Sequence, residues 1–317
     1  MSLSRIAVLL PCYNEEMNIA GVVSAFRQSL PDAAIYVYDN NSTDHTVQAA
    51  REAGAIVYRE TYQGKGNVVR RMFSDIDADI YVMADGDGTY DASVAPELIR
   101  KLVDENLDMV VGSRVETETQ AYRHGHKFGN SFLTGMVKWL FGFGFTDILS
   151  GYRVMSRRFV KSFPIVAGGF EIETEMSVHA LELRLPVAEV ATHYGVRLAE
   201  SPSKLRTYQD GFRILFTIFG LMASERPRLL FGTIAFVLAA ISMILAIPLF
   251  ITWLETGQVP RFPTAILCVG TMLVAVMTLG FGWLLHVITR GRIEAKRLAY
   301  LAQQAVTGET TQSSSSP

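Results

Sequence analysis

The sequence predicts an α/β domain with a doubly wound, mostly parallel sheet, followed by a C-terminal two-helix transmembrane hairpin. Three observations carry this expectation. Short β-branched and aromatic runs alternate with amphipathic stretches as far as residue 190, the pattern of successive βαβ units. Several of those runs stop on acidic or polar residues, as strands do where a parallel sheet opens onto a cleft. Residues 229–254 and 264–289 contain no Asp, Glu, Lys or Arg. The chain of 317 residues is 49% apolar and 19% charged, and the apolar excess sits in those two stretches.

The first strand is expected over 5–10. A helix follows over 15–30, with Ile19, Val22, Val23 and Phe26 on one stripe. A second strand, 34–38, runs into Asp39-Asn40-Asn41-Ser42-Thr43-Asp44, a turn that leads into a helix over 44–53 with Ser42 or Thr43 as its cap. Residues 55–58 form a third strand, and Gly64-Lys65-Gly66 opens the next helix. The fourth strand, 80–84, is apolar throughout and ends on Asp85-Gly86-Asp87. A helix over 93–105 and a strand over 108–111, ending in Gly112-Ser113-Arg114, complete the regular alternation.

Residues 115–125 are polar and aperiodic, which predicts a loop, and 127–141 read as a helix. Thr146 to Arg153 lead into a strand at 154–155, with a helix over 171–183 and a strand over 187–190. In 204–222, Leu205, Tyr208, Phe212, Leu215 and Phe216 alternate with Arg206, Asp210 and Arg213, which suits a helix at a membrane interface. The two charge-free stretches hold about 26 residues each, roughly 39 Å of helix against a hydrocarbon core of about 30 Å. The intervening loop has Arg261 as its only basic residue, whereas the flanks carry Arg226, Arg228, Arg290, Arg292, Lys296 and Arg297. The positive-inside rule then puts both flanks in the cytoplasm. The expected organisation is a cytoplasmic α/β domain over 1–203, an interfacial helix over 204–226, a hairpin over 227–290 and a cytoplasmic tail over 291–317 with a disordered, Ser/Thr-rich end.

A net charge of −2, with no basic aromatic strip, argues against a nucleic-acid partner. Cys12 and Cys268 lie far apart, so a disulfide framework is not expected and a reducing compartment fits. No signal peptide is read at the N-terminus, where the apolar run is too short. In a parallel sheet the ends of strands one, two and four share an edge. That edge collects Pro11, Tyr13 and Glu15, then Asp39, then Asp85 and Asp87. A nucleoside diphosphate needs such a set: an aromatic ring for the base, acceptors for base or ribose, and hard oxygens for a Mg²⁺ or Mn²⁺ ion carrying the phosphates. Gly86 keeps the rim free of bulk, and Lys65 adds a charge to the same pocket. Taken alone, the Asp85/Asp87 pair also suits a solvated acidic turn. Arg59 stands where a Walker loop requires glycine, and no Gly-x-Gly-x-x-Gly follows the first strand, which argues against a dinucleotide-dependent dehydrogenase.

Pro11-x-Tyr13-Asn14-Glu15-Glu16, Asp39-Asn40-x-Ser42-x-Asp44, Gly64-Lys65-Gly66, Asp85-x-Asp87, Gly112-Ser113-Arg114 and Asp147-x-x-Ser150-Gly151-Tyr152-Arg153 occur in one order. Over about 1–225 the chain resembles family 2 glycosyltransferases of the GT-A fold, in the polyprenyl-phosphate (dolichol-phosphate mannose synthase-like) branch. The resemblance implies inverting transfer of a sugar from a UDP- or GDP-linked donor to a polyprenyl phosphate in a lipid bilayer. It implies that Pro11, Tyr13 and Glu15 line the base and that Asp39 holds base or ribose. It also implies that Asp85 and Asp87 serve metal and diphosphate, Asp87 more directly, and that Arg114 faces a donor or acceptor phosphate. Arg197 and Lys204 resemble a segment that closes on the diphosphate, here with a longer spacing and Pro202 inside it. Arg153 is a candidate to guide the lipid phosphate. Glu171 or Glu173 either contacts sugar hydroxyls or favours a helix N-terminus. Thr89 stands where mannose synthases often carry glutamine, which leaves the sugar open.

Two other readings compete. A processive polysaccharide synthase lacks its Gln-x-x-Arg-Trp segment here and would have only two spans. A non-catalytic nucleotide-sugar-binding scaffold has no need of Asp39, Asp85 and Asp87. Hairpins of two copies packing together would give a homo-oligomer. A bacterial or archaeal plasma membrane is the expected location.

Overall fold

The computed structural model describes residues 5–115, 145–165, 168–169, 171–195 and 226–303, with the single positions 135, 220 and 223. The expected helix at 127–141, the interfacial helix at 204–222, and Arg197 and Lys204 lie outside the described residues. The chain divides into two compact units: Met1–Thr207 with Ala295–Pro317, and Tyr208–Glu294.

The first unit is built on a seven-stranded sheet. Its strands are β1 (Ile6–Cys12), β2 (Ala34–Asp39), β3 (Ile56–Arg59), β4 (Ile80–Met83), β5 (Met109–Val115), β6 (Arg153–Ser156) and β7 (Val187–His193), in the spatial order β3-β2-β1-β4-β6-β5-β7. β6 runs antiparallel to both neighbours, and the remaining pairs are parallel. Val8, Leu9 and Leu10 have no exposed surface, as expected of a strand covered on both faces. Helix α1 (Ile19–Ser29) buries Ile19, Val22, Val23 and Phe26, the stripe read from the sequence. Full burial of a side chain such as Phe26 is worth roughly 1.5–3 kcal/mol.

Local chemistry moves several boundaries. α1 starts at Ile19 rather than 15, because the Glu15 carbonyl closes a turn by accepting from the Asn18 and Ile19 amides at 3.0 and 2.9 Å. Helix α2 (Thr46–Glu52) also starts late. Ser42 and Thr43 do not cap it: the Ser42 hydroxyl accepts from the Asn14 amide at 2.9 Å, and it is Asp44 that accepts from the Thr46 amide at 3.0 Å. α3 (Lys65–Asp75) and α4 (Ala95–Asp104) follow the expected order. β5 runs on to Val115 because Gly112 to Val115 pair in register with Val190 to His193 of β7. A short helix, α5 (Arg157–Ser162), is capped by Ser156, whose side chain accepts from the Phe159 amide. It is too short to leave a periodic signature. Helix α6 (Ile172–Leu183) is buried along most of its length, including Glu173, Ser177 and His179.

The second unit holds α7 (Pro227–Thr256) and most of α8 (Phe262–Leu301). Both are long and apolar enough to cross a membrane, with mean hydropathy 2.8 and 2.1 in windows only 11% and 17% buried. The buried residues of α8 are Cys268, Ala275, Gly282 and Thr289, one every seventh position, a small-residue seam that lets two helices approach closely. A Cβ on Gly282 would lie 2.7 Å from Cβ of Phe231. The Ser242 hydroxyl crosses the seam and donates to the Cys268 carbonyl at 2.8 Å. From Ala295 onward, α8 belongs to the first unit.

Candidate active site

The register Cys12↔Asp39 and Leu9↔Met83 sets the carboxyl ends of β1, β2 and β4 along one edge. Beyond β1 the chain turns at Asn14, whose φ of 54° lies in the left-handed region that asparagine tolerates better than most residues. Its carboxamide oxygen accepts from the Thr43 amide at 2.8 Å, tying the first loop to the second. Glu15, 8% exposed, accepts from the Asn18 carboxamide at 3.1 Å. Asp39, 2% exposed, accepts from the Ser42 amide through both oxygens, at 3.2 and 3.4 Å. Asn40 draws in a third loop: it donates to the Glu60 and Tyr62 carbonyls at 3.0 and 2.8 Å and accepts from the Gly64 amide at 2.7 Å.

Gly86 follows from packing. A Cβ there would run into Sγ of Cys12 and come within 3.4 Å of the Pro11 carbonyl. Asp87 closes a tight turn, accepting from the amide and hydroxyl of Thr89 at 3.1 and 2.6 Å. Asp85 is bound by the Lys65 ammonium, which also pairs with Glu173 at 2.5 Å. Burial alone would depress the lysine, but the charges of Asp85 and Glu173 outweigh it and hold its pKa above the ordinary value. Cys12 marks the centre of the acidic edge. Burial pushes its thiol up, and Glu15, Asp39, Asp85 and Asp87 all push the same way.

Arg114 lies to one side. Its Nε and Nη2 donate to the two Asp147 oxygens at 2.7 and 2.8 Å, and its guanidinium sits 5.4 Å from the centre of the Tyr194 ring. Burial tends to raise the Asp147 carboxyl, but the hydrogen bonds and charge of Arg114 prevail and hold it below the usual carboxylate range. Tyr194 packs on Tyr90 with ring centres 5.3 Å apart, and the Tyr90 hydroxyl accepts from the Gly151 amide at 2.8 Å. A Cβ on Gly151 would lie 2.9 Å from Oδ2 of Asp85, so this aromatic cluster packs close behind the acidic rim.

The side chain of Arg153, the candidate to guide a lipid phosphate, is fully buried. It donates to the Ser150 and Ile148 carbonyls and the Ser177 hydroxyl, each at 2.9 Å. It therefore braces the 148–150 loop against α6. Burial lowers its pKa to about 10, with Glu173 and Asp147 working in the opposite direction, so it stays a cation at neutral pH. Glu173 stands in the first turn of α6, 4% exposed, and meets Lys65 there. Glu171, at the N-cap of α6, lies only partly buried beside Gly169. Thus Tyr13, Glu15, Asp39, Lys65, Asp85, Gly86, Asp87 and Glu173 belong to one edge, whereas Arg153 lies inside. Sequence reasoning missed Tyr90, Asp147 and Tyr194 as supports. The Asp147 motif was visible as a string, but its ion pair with Arg114 depends on tertiary structure.

Among the described residues, no three His, Cys, Asp or Glu side chains converge to hold a metal by themselves. The hard oxygens of Asp85 and Asp87 on an open rim fit a divalent cation that completes its shell with diphosphate oxygens and water. Each carboxylate has one oxygen engaged, that of Asp85 by Lys65 and that of Asp87 by Thr89.

Comparison with known proteins places these residues among relatives. Residues 7–162 match the family described as Glycosyl transferase family 2. The chain is 32% identical over 299 residues to glycosyltransferase AglJ of Haloferax volcanii, spanning 93% of this chain and 98% of that protein. It is 26% identical over 224 residues to the dolichyl-phosphate hexose transferase of the same organism, spanning 71% and 96%. Over 124 residues it is 60% identical to protein RfbJ of Shigella flexneri, spanning 39% and 96%. Among solved structures it resembles glucosyl-3-phosphoglycerate synthase of Mycobacterium tuberculosis in complex with Mn²⁺, UDP-glucose and phosphoglyceric acid. That likeness has a TM-score of 0.57 at 22% identity, over 70% of this chain and 79% of the other, and it bears on the fold.

Proposed function

The chain belongs to glycosyl transferase family 2, with a GT-A fold in its first unit, and from that premise we propose that it transfers a sugar from a nucleotide sugar to a polyprenyl phosphate. One observation carries this reading: an Asp85-Gly86-Asp87 rim on a glycosyltransferase sheet belongs to the same chain as two membrane-length helices. A soluble acceptor gives no reason for such helices, whereas a lipid acceptor does. The relative named for dolichyl-phosphate hexose transfer supports it. The UDP-glucose complexes of the structural neighbour make uridine donors the first to try, with GDP sugars next.

In this mechanism Tyr13 and Pro11 pack against the base, and Glu15 and Asp39 accept hydrogen bonds from base or ribose. Asp87, with Asp85, would hold Mg²⁺ or Mn²⁺, which when bound neutralises the departing diphosphate. Lys65 keeps the Asp85 carboxylate in place. Arg114, held flat by Asp147, directs positive charge towards a donor or acceptor phosphate, and Arg197 and Lys204 close on the diphosphate. Arg153 positions the loop from 148 to 150 rather than touching substrate. Glu171 or Glu173 meets sugar hydroxyls. The acceptor is a phosphate monoester, largely ionised at neutral pH, so its oxygen attacks the anomeric carbon without a strong general base. The new C–O bond forms as the bond to the nucleoside diphosphate breaks on the opposite face, which inverts the anomeric centre. The hairpin crosses a bacterial or archaeal plasma membrane, with the catalytic unit and both chain ends on the cytoplasmic side. Hairpins of separate copies pair in a homo-oligomer.

Incubating the full chain with Mn²⁺, a polyprenyl phosphate and a panel of labelled nucleotide sugars tests the proposal. Label is expected in an organic-extractable product with one donor, and not when the free polyprenol replaces its phosphate. Retention of all label in the aqueous phase with every donor would overturn it.

A further inference from the structure

The buried helix α6 is gripped at both ends by charges from elsewhere in the first unit. Near its C-terminus, Glu182 has a side chain only 1% exposed and pairs with Lys296 of α8 at 2.6 Å. At its N-terminus, Glu173 pairs with Lys65, which also binds Asp85. Between them, the Ser177 hydroxyl accepts from Arg153 at 2.9 Å and donates to the Glu173 carbonyl at 3.0 Å. The two glutamates are about two and a half turns apart, on opposite sides of the helix. A rod held this way transmits a displacement of one end to the other, because packed interiors deform little.

The same stretch of α8 has a second anchor. The Tyr300 hydroxyl donates to Asp108 at 2.7 Å, Asp108 has no exposed surface, and Arg158 binds that carboxylate at 2.6 Å while stacking on the Tyr300 ring at 5.0 Å. The end of α8 is therefore fixed to the sheet unit by two buried carboxylates rather than resting on its surface. Both anchors lie on the helix whose earlier turns, within the second unit, form one of the two membrane-length segments.

We propose that Lys296 and Tyr300 are positioning residues for the sugar-transfer site. Lys296 holds α6 through Glu182, and Tyr300 fixes the same stretch of α8 to Asp108; α6 in turn presents Glu173 to Lys65, which sets the Asp85 carboxylate. The site is then assembled in part by the chain segment that leaves the membrane hairpin. The consequence for sugar transfer rests on the function proposed above; the mechanical link does not.

Hydrogen–deuterium exchange on the full chain, without metal or nucleotide, tests the link directly. In Lys296→Met, amide protection at 63–69 and 171–177 is expected to fall about tenfold, with Lys296→Arg retaining it and Tyr300→Phe giving a smaller loss at the same peptides. Changes confined to 178–186 and 292–303 would overturn the proposal. A second measurement reads the site, using Mn²⁺ with UDP as the probe. Lys296→Met should weaken binding about tenfold in the native chain and have no further effect in a Glu173→Gln background. Independent, additive losses would contradict the relay. Failure of the native chain to bind Mn²⁺ with UDP or with GDP would count against the proposed donor site, while the exchange result would still decide the link.

Discussion

Asp85 and Asp87 are neighbours in sequence with different work. Asp85 is engaged by Lys65, whereas Asp87 is held by Thr89 in a turn at the rim. Asp87→Asn is therefore expected to lower transfer by roughly 10²-fold or more and to weaken Mn²⁺ binding in a metal titration, with the thermal unfolding profile retained. Undiminished transfer would remove Asp87 from the site. Gly86 is bounded by the Cys12 thiol, so Gly86→Ala should destabilise the fold by about 1–3 kcal/mol through overpacking. Adding Cys12→Ala should recover much of that loss in urea denaturation. The acidic rim was legible in the sequence because each carboxylate follows an apolar strand, and strand ends of a parallel sheet share an edge. The pairing of Lys65 with Glu173 was not legible, since no local pattern joins a residue opening α3 to one opening α6. The burial of Arg153 was not legible for a related reason. A charged residue reads as exposed until burial and three satisfied donors show otherwise.

At the scale of elements, α1 was legible through its apolar stripe and α4 through its place in the alternation, whereas the length of β5 was not. Its last residues are strand because β7 pairs with them, a tertiary cause that propensity does not register. α6 was visible as a helix, but its near-complete burial was not. One consequence concerns His179, packed between Phe159 and Phe163 with the Ser162 hydroxyl 3.5 Å from Nε2. Burial, assisted by the nearby Lys296 charge, lowers its pKa to about 3. The unfolded chain titrates this group near pH 6.5. Above that pH both states are neutral and His179 has no effect on the pH dependence. As the pH falls from about 6.5 towards 3, only the unfolded state takes up the proton, and folding weakens by up to about 1.4 kcal/mol per unit. Chemical denaturation at pH 7.5 and pH 5 should therefore show a larger acid loss for the native chain than for His179→Gln. Equal losses would mean the ring is protonated, or accessible to water, in the folded state.

At the scale of the whole molecule, the sequence divides by composition and the structure by contacts, and the two divisions differ after the hairpin, where Ala295–Pro317 belong to the first unit. The hairpin was legible as two charge-free runs. The return of α8 to the first unit was not, because Lys296 and Tyr300 read as a basic flank and a tail until Glu182 and Asp108 are seen opposite them. A glycosyltransferase sheet and two membrane-length helices in one chain suit an acceptor whose reactive phosphate stays tethered to a bilayer. The most direct test of that account is the mass of the lipid formed when the full chain, reconstituted with a polyprenyl phosphate and Mn²⁺, is given the donor it uses. The account predicts the acceptor mass increased by one glycosyl residue, with nucleoside diphosphate released. A product heavier by a sugar phosphate with nucleoside monophosphate released, or no lipid product with any UDP- or GDP-linked sugar, would contradict it.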